Sequence, residues 1–166
     1  MTDTLDGAGQ RENAQITTDE LDVMEISIVG SGYVGATLAG CLAELGHDIT
    51  AVDIDADIVR QINAGKPPIV EPGLDALFDE HVGERLRATT NIKRISETDI
   101  TFLTVQTPSS QDGMMDTRAL ESACRDVGGA LRQKSGYHLV VVKSTVLPGI
   151  AEEVLLPVIE EAGDSG

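Results

Sequence analysis

Short apolar runs alternate with helical patterns along most of this chain. Ile26 to Val29 forms the first run, a helical pattern covers Ala36 to Leu45, and a second apolar run closes at Asp53. Carried to the end, the pattern predicts strands at 24–29, 48–53, 86–90, 100–105 and 138–142. Helices are predicted at 33–45, 56–64, 72–82, 117–132 and 149–161, with a small helical turn at 91–95. Lys66-Pro67-Pro68 ends one helical stretch because proline has no N–H to continue the ladder, whereas Pro72 suits the first turn of the next helix. Asp116 is placed to cap the long helix, whose Leu120, Cys124, Val127 and Leu131 recur on one face. Such alternation predicts a parallel sheet covered on both faces.

The first strand and first helix are joined by Gly30-Ser31-Gly32-Tyr33-Val34-Gly35, and Asp53 stands 18 residues after Gly35. A bare glycine hexapeptide is weak, but strand, helix and downstream acid together form a dinucleotide-binding βαβ fingerprint. Gly30 serves a tight turn, Gly32 lets backbone N–H groups approach a pyrophosphate, and Gly35 lets helix and strand pack closely. The helix start, with unpaired N–H groups and a partial positive charge, favours an anion there. Asp53 is placed to accept both adenosine-ribose hydroxyls, and its charge repels a 2′-phosphate, so NAD is expected rather than NADP. The fold class that follows is α/β, a Rossmann-like doubly wound parallel sheet. Five strands are counted where that fold has six, so a sheet truncated before the sixth strand is expected.

Met1 to Asp22 follows no such period. It is polar, acidic and almost free of large apolar groups, which predicts a disordered extension over 1–23 and one domain over 24–166. Met24 directly precedes the first strand and is an alternative start.

Composition adds two constraints. With 166 residues the chain suits one domain, and a net charge of -16 argues against nucleic acid or an anionic membrane as partner. Four lysines (Lys66, Lys93, Lys134, Lys143) stand against fifteen aspartates, a balance that resembles proteins of salt-loving organisms and predicts weak folding at low salt. The charge is spread along the chain, as on a solvated surface. Cys41 and Cys124 fall on apolar faces of predicted helices, so two buried free thiols are expected, neither with a nearby His or Lys to make it a nucleophile. His47, His81 and His138 lie in separate predicted elements without metal-ligand spacing, so no metal is expected. With no apolar span and no signal segment, the expected compartment is cytoplasmic.

Four motifs in order extend this reading: Gly32-Tyr33-Val34-Gly35, Pro68-Ile69-Val70-Glu71-Pro72-Gly73-Leu74, Val105-Gln106-Thr107-Pro108 and Lys143-Ser144-Thr145-Val146. On them the chain, from Met24 onward, resembles the UDP-glucose/GDP-mannose dehydrogenase family, its UDP-glucose 6-dehydrogenases most of all, and corresponds to the N-terminal NAD domain. The resemblance implies that NAD oxidises a sugar 6-hydroxyl twice, through a cysteine-bound thiohemiacetal and thioester, to the uronate. It also implies that the catalytic cysteine, the sugar-binding part and the dimer interface lie beyond Gly166, so the fragment alone is expected to be inactive. Gly30, Gly32, Tyr33, Val34 and Gly35 are then pyrophosphate contacts and Asp53 the ribose contact. Val105, Thr107 and Pro108 are expected on the nicotinamide side, and Thr89 or Thr90 after the third strand is a further candidate contact, although a threonine pair is also ordinary strand chemistry. Ser144 and Thr145 are expected to reach cofactor and reacting sugar, with Thr145 the catalytic-site candidate. Lys143 is read as solvated or ion-paired, and Glu71 as a helix-dipole carboxylate.

Two departures from the family pattern stand out. Ile58 occupies the place of a usual Lys or Arg, leaving Arg60 as substitute, and Ile150 follows Gly149 where a threonine is usual, removing a capping hydroxyl. The alternatives are a non-catalytic nucleotide-binding or regulatory module, and a UDP-N-acetylmannosamine or GDP-mannose dehydrogenase.

Overall fold

The structure, a computed structural model, describes residues 22–108 and 115–164. The extension expected over 1–23 therefore falls almost wholly outside the described residues.

The elements run β1 (Glu25–Val29), α1 (Tyr33–Glu44), β2 (Asp48–Val52), α2 (Ala56–Asn63), α3 (Leu74–His81) and β3 (Leu86–Thr89). A 3₁₀ turn (Ile92–Glu97), β4 (Ile100–Leu103), α4 (Arg118–Leu131), β5 (Leu139–Val142), a π-helical segment (Ala151–Leu155) and α5 (Leu156–Asp164) follow. One sheet has the order β3-β2-β1-β4-β5, and every neighbouring pair is parallel. The chain starts at the centre, winds outward to β3, then returns past β1 to β4. This is the doubly wound arrangement, with the winding reversing between β1 and β4.

Because both faces are covered, the strands alternate between two cores rather than between core and water. Ile26, Ile28, Ile49 and Ala51 face α1 and α3, where they meet Ala36, Ala39, Ala43 and Phe78. Val29, Val52 and Leu103 face the other way, against Ile95, Leu120, Cys124, Val127 and Leu155. Each fully buried large side chain contributes ~1.5–3 kcal/mol of apolar burial.

The buried face of α1 is made of small residues, Gly35, Ala36, Ala39, Gly40 and Ala43, which lets the helix axis come close to the sheet. That choice of face corrects the expectation for Cys41. Its thiol is exposed, while Cys124 is buried. In α1 nearly every position is apolar, so periodicity does not mark the inner side; residue size does. A similar contact joins α4 to α5, where a Cβ on Gly128 would overlap the carbonyl oxygen of Ile159.

Element boundaries differ from the sequence pattern where backbone geometry intervenes. α3 begins at Leu74 rather than at Pro72, because Gly73, at φ 86°, is left-handed and redirects the chain first. The N-cap of α4 is Thr117, although the Asp116 carboxylate still accepts from Arg118 N at 3.1 Å. The hydrogen-bonded Arg118 guanidinium pulls the Asp116 carboxyl down to about 2. The last helical stretch opens with a π turn after Ile150, which, as expected, offers no side-chain cap. Among the described residues no helix is long and apolar enough to cross a membrane.

A row of hydroxyls crosses the middle of the sheet. Ser27 and Thr101 lie 2.7 Å apart on β1 and β4, Thr98 Oγ1 donates to Ser27 at 3.0 Å, and all three are buried. The row ends at His138, whose Nδ1–H donates to Thr98 O at 2.9 Å and whose Nε2 lies 2.8 Å from Thr101 Oγ1. The carbonyl can only accept, so in the neutral ring Nε2 accepts from Thr101. Burial lowers the His138 pKa below its ordinary 6.5, and the Lys134 ammonium adds to the effect, against the opposing pull of Thr98 O and Asp99. A base with a depressed folded pKa takes up fewer protons folded than unfolded, so its contribution to stability is complete above 6.5 and declines as pH falls below it. Urea midpoints measured from about pH 8 to about pH 5 should therefore fall on acidification. His138→Gln, which cannot titrate, should show a shallower fall; an equal slope would contradict this account.

Candidate functional site

In a parallel sheet all carboxyl ends lie on one side, and the winding reversal opens a crevice there between β1 and β4. The crevice is present as an open cleft of about 330 Å³, lined by the start of α1, the segment after β4 and the segment after β5. Gly32, Tyr33, Val34, Val105, Thr107, Pro108, Ser144 and Thr145, all expected at the site, line it, as do Thr104, Gln106 and Lys143. Thr90 does not line it: it is exposed just past β3, whose Thr89 O accepts from Asp53 N at 3.1 Å. Neighbouring Thr89 accepts from Asn91 N through its hydroxyl.

Three glycines shape the loop, each for a different reason. Gly30 has φ 97°, and a Cβ on it would lie 3.2 Å from the Thr104–Val105 backbone. Gly35 sits against Gly30 O and Thr104 Oγ1, where no Cβ fits. Gly32 is different: φ −71° and ψ −159° suit any residue, and among the described residues beyond the loop's own neighbours a Cβ there would meet no atom closer than 3.6 Å. Neither backbone nor packing requires glycine at 32. The space in front of it does, and that space adjoins the first turn of α1.

That first turn is open to an anion. The ladder begins with Ala36 N donating to Gly32 O at 2.9 Å, so the amides of Tyr33, Val34 and Gly35 precede it. No side chain caps the helix and no acidic residue occupies its first turn, in a chain of net charge -16. The loop is held from two sides. Thr104 Oγ1 donates to Gly30 O at 2.6 Å, and Asp53 Oδ2 accepts from Ser31 N at 2.6 Å while Oδ1 accepts from Asp55 N at 2.9 Å. Asp53, directly after β2, thus stands beside the glycine loop as the fingerprint requires. These residues fit a dinucleotide: a cradle at Gly32, free amides for the pyrophosphate and a carboxylate for the ribose.

The far wall is tied together by hydroxyls. Ser144 Oγ donates to Val105 O at 2.6 Å, and Thr107 Oγ1 donates to Thr145 O at 2.8 Å. The Ser144 proton is thereby engaged in joining the β4 and β5 ends. The Thr145 side chain is exposed on the cleft and makes no hydrogen bond among the described residues, so its hydroxyl is available to a ligand.

Several relationships were hidden by sequence distance. Tyr33 OH donates to Glu71, linking the glycine loop to the turn before α3 and raising the Tyr33 pKa. Lys143, exposed and without an ion pair among the described residues, lines the cleft. Arg60 is engaged by Asp57 on its own helix. His81 Nε2 lies 2.7 Å from Glu44 Oε2, with Glu80 alongside, and none of the three lines the cleft. Burial pushes the Cys124 thiol up to about 11, with Glu121 adding to it, so Cys124 is no nucleophile.

Known proteins share this fold and sequence. Residues 24–166 match the profile of the UDP-glucose/GDP-mannose dehydrogenase family, NAD binding domain. UDP-glucose 6-dehydrogenase AglM of Haloferax volcanii is 53% identical over 139 residues, 84% of this chain and 32% of the relative. GDP-mannose 6-dehydrogenase of Pseudomonas aeruginosa is 47% identical over 140 residues, 83% of this chain and 32% of the relative. A solved ternary complex of GDP-mannose dehydrogenase from that bacterium superimposes with a TM-score of 0.82 at 46% identity, covering 84% of this chain and 33% of the other. The chain thus spans about a third of the length of these relatives.

Proposed function

From the premise that this chain belongs to the UDP-glucose/GDP-mannose dehydrogenase family and that residues 24–166 are its NAD-binding domain, we propose that it provides the cofactor half of a UDP-glucose 6-dehydrogenase. The observation that carries the proposal is the uncapped, acid-free start of α1 behind Gly32, beside the Asp53 carboxylate. The 53% identity to a UDP-glucose enzyme, against 47% to a GDP-mannose enzyme, supports the sugar assignment.

Bound NAD supplies a hydride acceptor for oxidation of the sugar 6-hydroxyl. The protein's own residues bind and orient. The α1 amides and Gly32 receive the pyrophosphate, and Asp53 receives the ribose hydroxyls while holding Ser31. Val105, Thr107 and Pro108 wall the nicotinamide side, and Thr90 extends the site past β3. Thr145 presents its hydroxyl to the reacting groups, with its backbone fixed by Thr107. The thiol and the sugar pocket belong to sequence of the kind that makes up the other two thirds of the relatives. We place the protein in the cytoplasm, where nucleotide sugars are the substrates that fit it, and assign it no nucleic-acid or membrane partner on charge grounds.

Titration of NADH and NADPH into the protein in molar potassium chloride tests this. Saturable NADH binding with NADPH at least about tenfold weaker is expected, because Asp53 repels a 2′-phosphate. A folded protein that takes up neither would refute the proposal.

A further inference from the structure

One side chain faces the dinucleotide cradle from across the cleft. Among the described residues, and apart from the glycine loop's own neighbouring atoms, only Gln106 Nε2 comes within 4 Å of the position a Cβ on Gly32 would occupy, at 3.6 Å. The root of Gln106 is firmly placed. Thr104, two residues before, donates to Gly30 O at 2.6 Å, and Val105 O accepts from Ser144 Oγ at 2.6 Å, so the segment is pinned to the glycine loop on one side and to the end of β5 on the other. The carboxamide itself is exposed and makes no hydrogen bond among the described residues, leaving its N–H donors to point at whatever fills the space before Gly32.

The amides of Tyr33, Val34 and Gly35 open onto this same space from the α1 side. An anion lodged there meets backbone donors on one side and a side-chain amide on the other. We infer that Gln106 is a cofactor-contacting residue that donates from its carboxamide to the pyrophosphate of NAD. The inference rests on the NAD-binding reading and adds a residue to it. The Gln106 donors close the open side of a cradle that the helix start forms by itself, so the pyrophosphate is gripped rather than merely seated.

The test is titration of NADH, ADP-ribose and adenosine into the wild-type protein, Gln106→Ala, Gln106→Glu and Gly32→Ala, with thermal melts of each variant. Gln106→Ala should weaken NADH and ADP-ribose by about tenfold, the usual worth of a hydrogen bond to a charged group. Gln106→Glu, which turns a carboxylate toward the phosphates, should weaken both further. Adenosine, which reaches Asp53 but carries no phosphate, should compete equally with the wild type and both Gln106 variants, and their melts should match the wild type. If both variants bind NADH and ADP-ribose as the wild type does while Gly32→Ala loses them, the inference is overturned and the NAD reading stands. If the wild type takes up no NADH, the NAD reading fails and the inference falls with it.

Discussion

Gly35→Ala is expected to damage both the stability of the protein and its hold on the cofactor. A Cβ at 35 would lie inside the van der Waals envelope of Gly30 O and 2.7 Å from Thr104 Oγ1. Neither neighbour can yield cheaply. Gly30 O belongs to a turn fixed at φ 97°, and Thr104 is the side chain that clasps that turn, with bonds to Gly30 O at 2.6 Å and Val29 O at 3.0 Å. Relief requires α1 to lift off β1, and overpacking of this sort costs about 3 kcal/mol. The lift also moves the first-turn amides away from Asp53. Urea denaturation should show a midpoint lowered by that amount, and NADH titration an affinity reduced more than about tenfold. A variant of unchanged stability that binds NADH normally would mean that the close packing of α1 on β1 described above is wrong.

Asp53→Ala should weaken NADH by about 10- to 100-fold, because a carboxylate accepting from a ribose contributes ~1.5–3 kcal/mol per hydrogen bond to a charged group. The side chain has a second duty that makes the loss larger than the contact alone. It accepts from Ser31 N at 2.6 Å and from Asp55 N at 2.9 Å, so its removal strands a part-buried amide and loosens the entry to α2. Asp53→Asn separates the duties. An amide keeps an acceptor oxygen but carries no charge to repel a 2′-phosphate, so the preference for NADH over NADPH should shrink even where NADH affinity partly survives. The quantity to measure is the ratio of the two dissociation constants. A ratio unaltered by Asp53→Asn would remove the charge of Asp53 from the account of cofactor choice.

Glycine positions and the alternation of strands with helices were legible in the chain because local backbone physics demands them. Gly30 needs a positive φ, Gly35 needs the absence of a Cβ, and both demands are visible as a fixed spacing between an apolar run and a helical pattern. Asp53 was legible for the same reason, as the residue that ends the second run. What escaped was set by size or by folding in space. The inner face of α1 follows small side chains rather than apolar ones, which leaves Cys41 outside. The π turn at Ala151–Leu155 keeps Val154 and Leu155 against the core as an α-helix would, so the sequence pattern does not distinguish them. Gly73 overrides Pro72 because a left-handed residue resets the chain direction before a helix can start. Gln106 and Lys143 join the glycine loop only through the strand order, and the Tyr33–Glu71 bond spans 38 residues. No local pattern records such meetings.

The cleft sits where α1 and α4 depart to opposite faces of the sheet, and its walls hang from both cores at once. Gly35 and Ala36 lead into one core, and Val105 packs against the other. A molecule held in the cleft therefore works as a rivet through the seam. It fastens two separately packed layers that the Thr104 clasp and the paired ends of β1 and β4 also tie at that end. In such a design the occupant is part of the framework, and the loops around it gain their rigidity from what they carry.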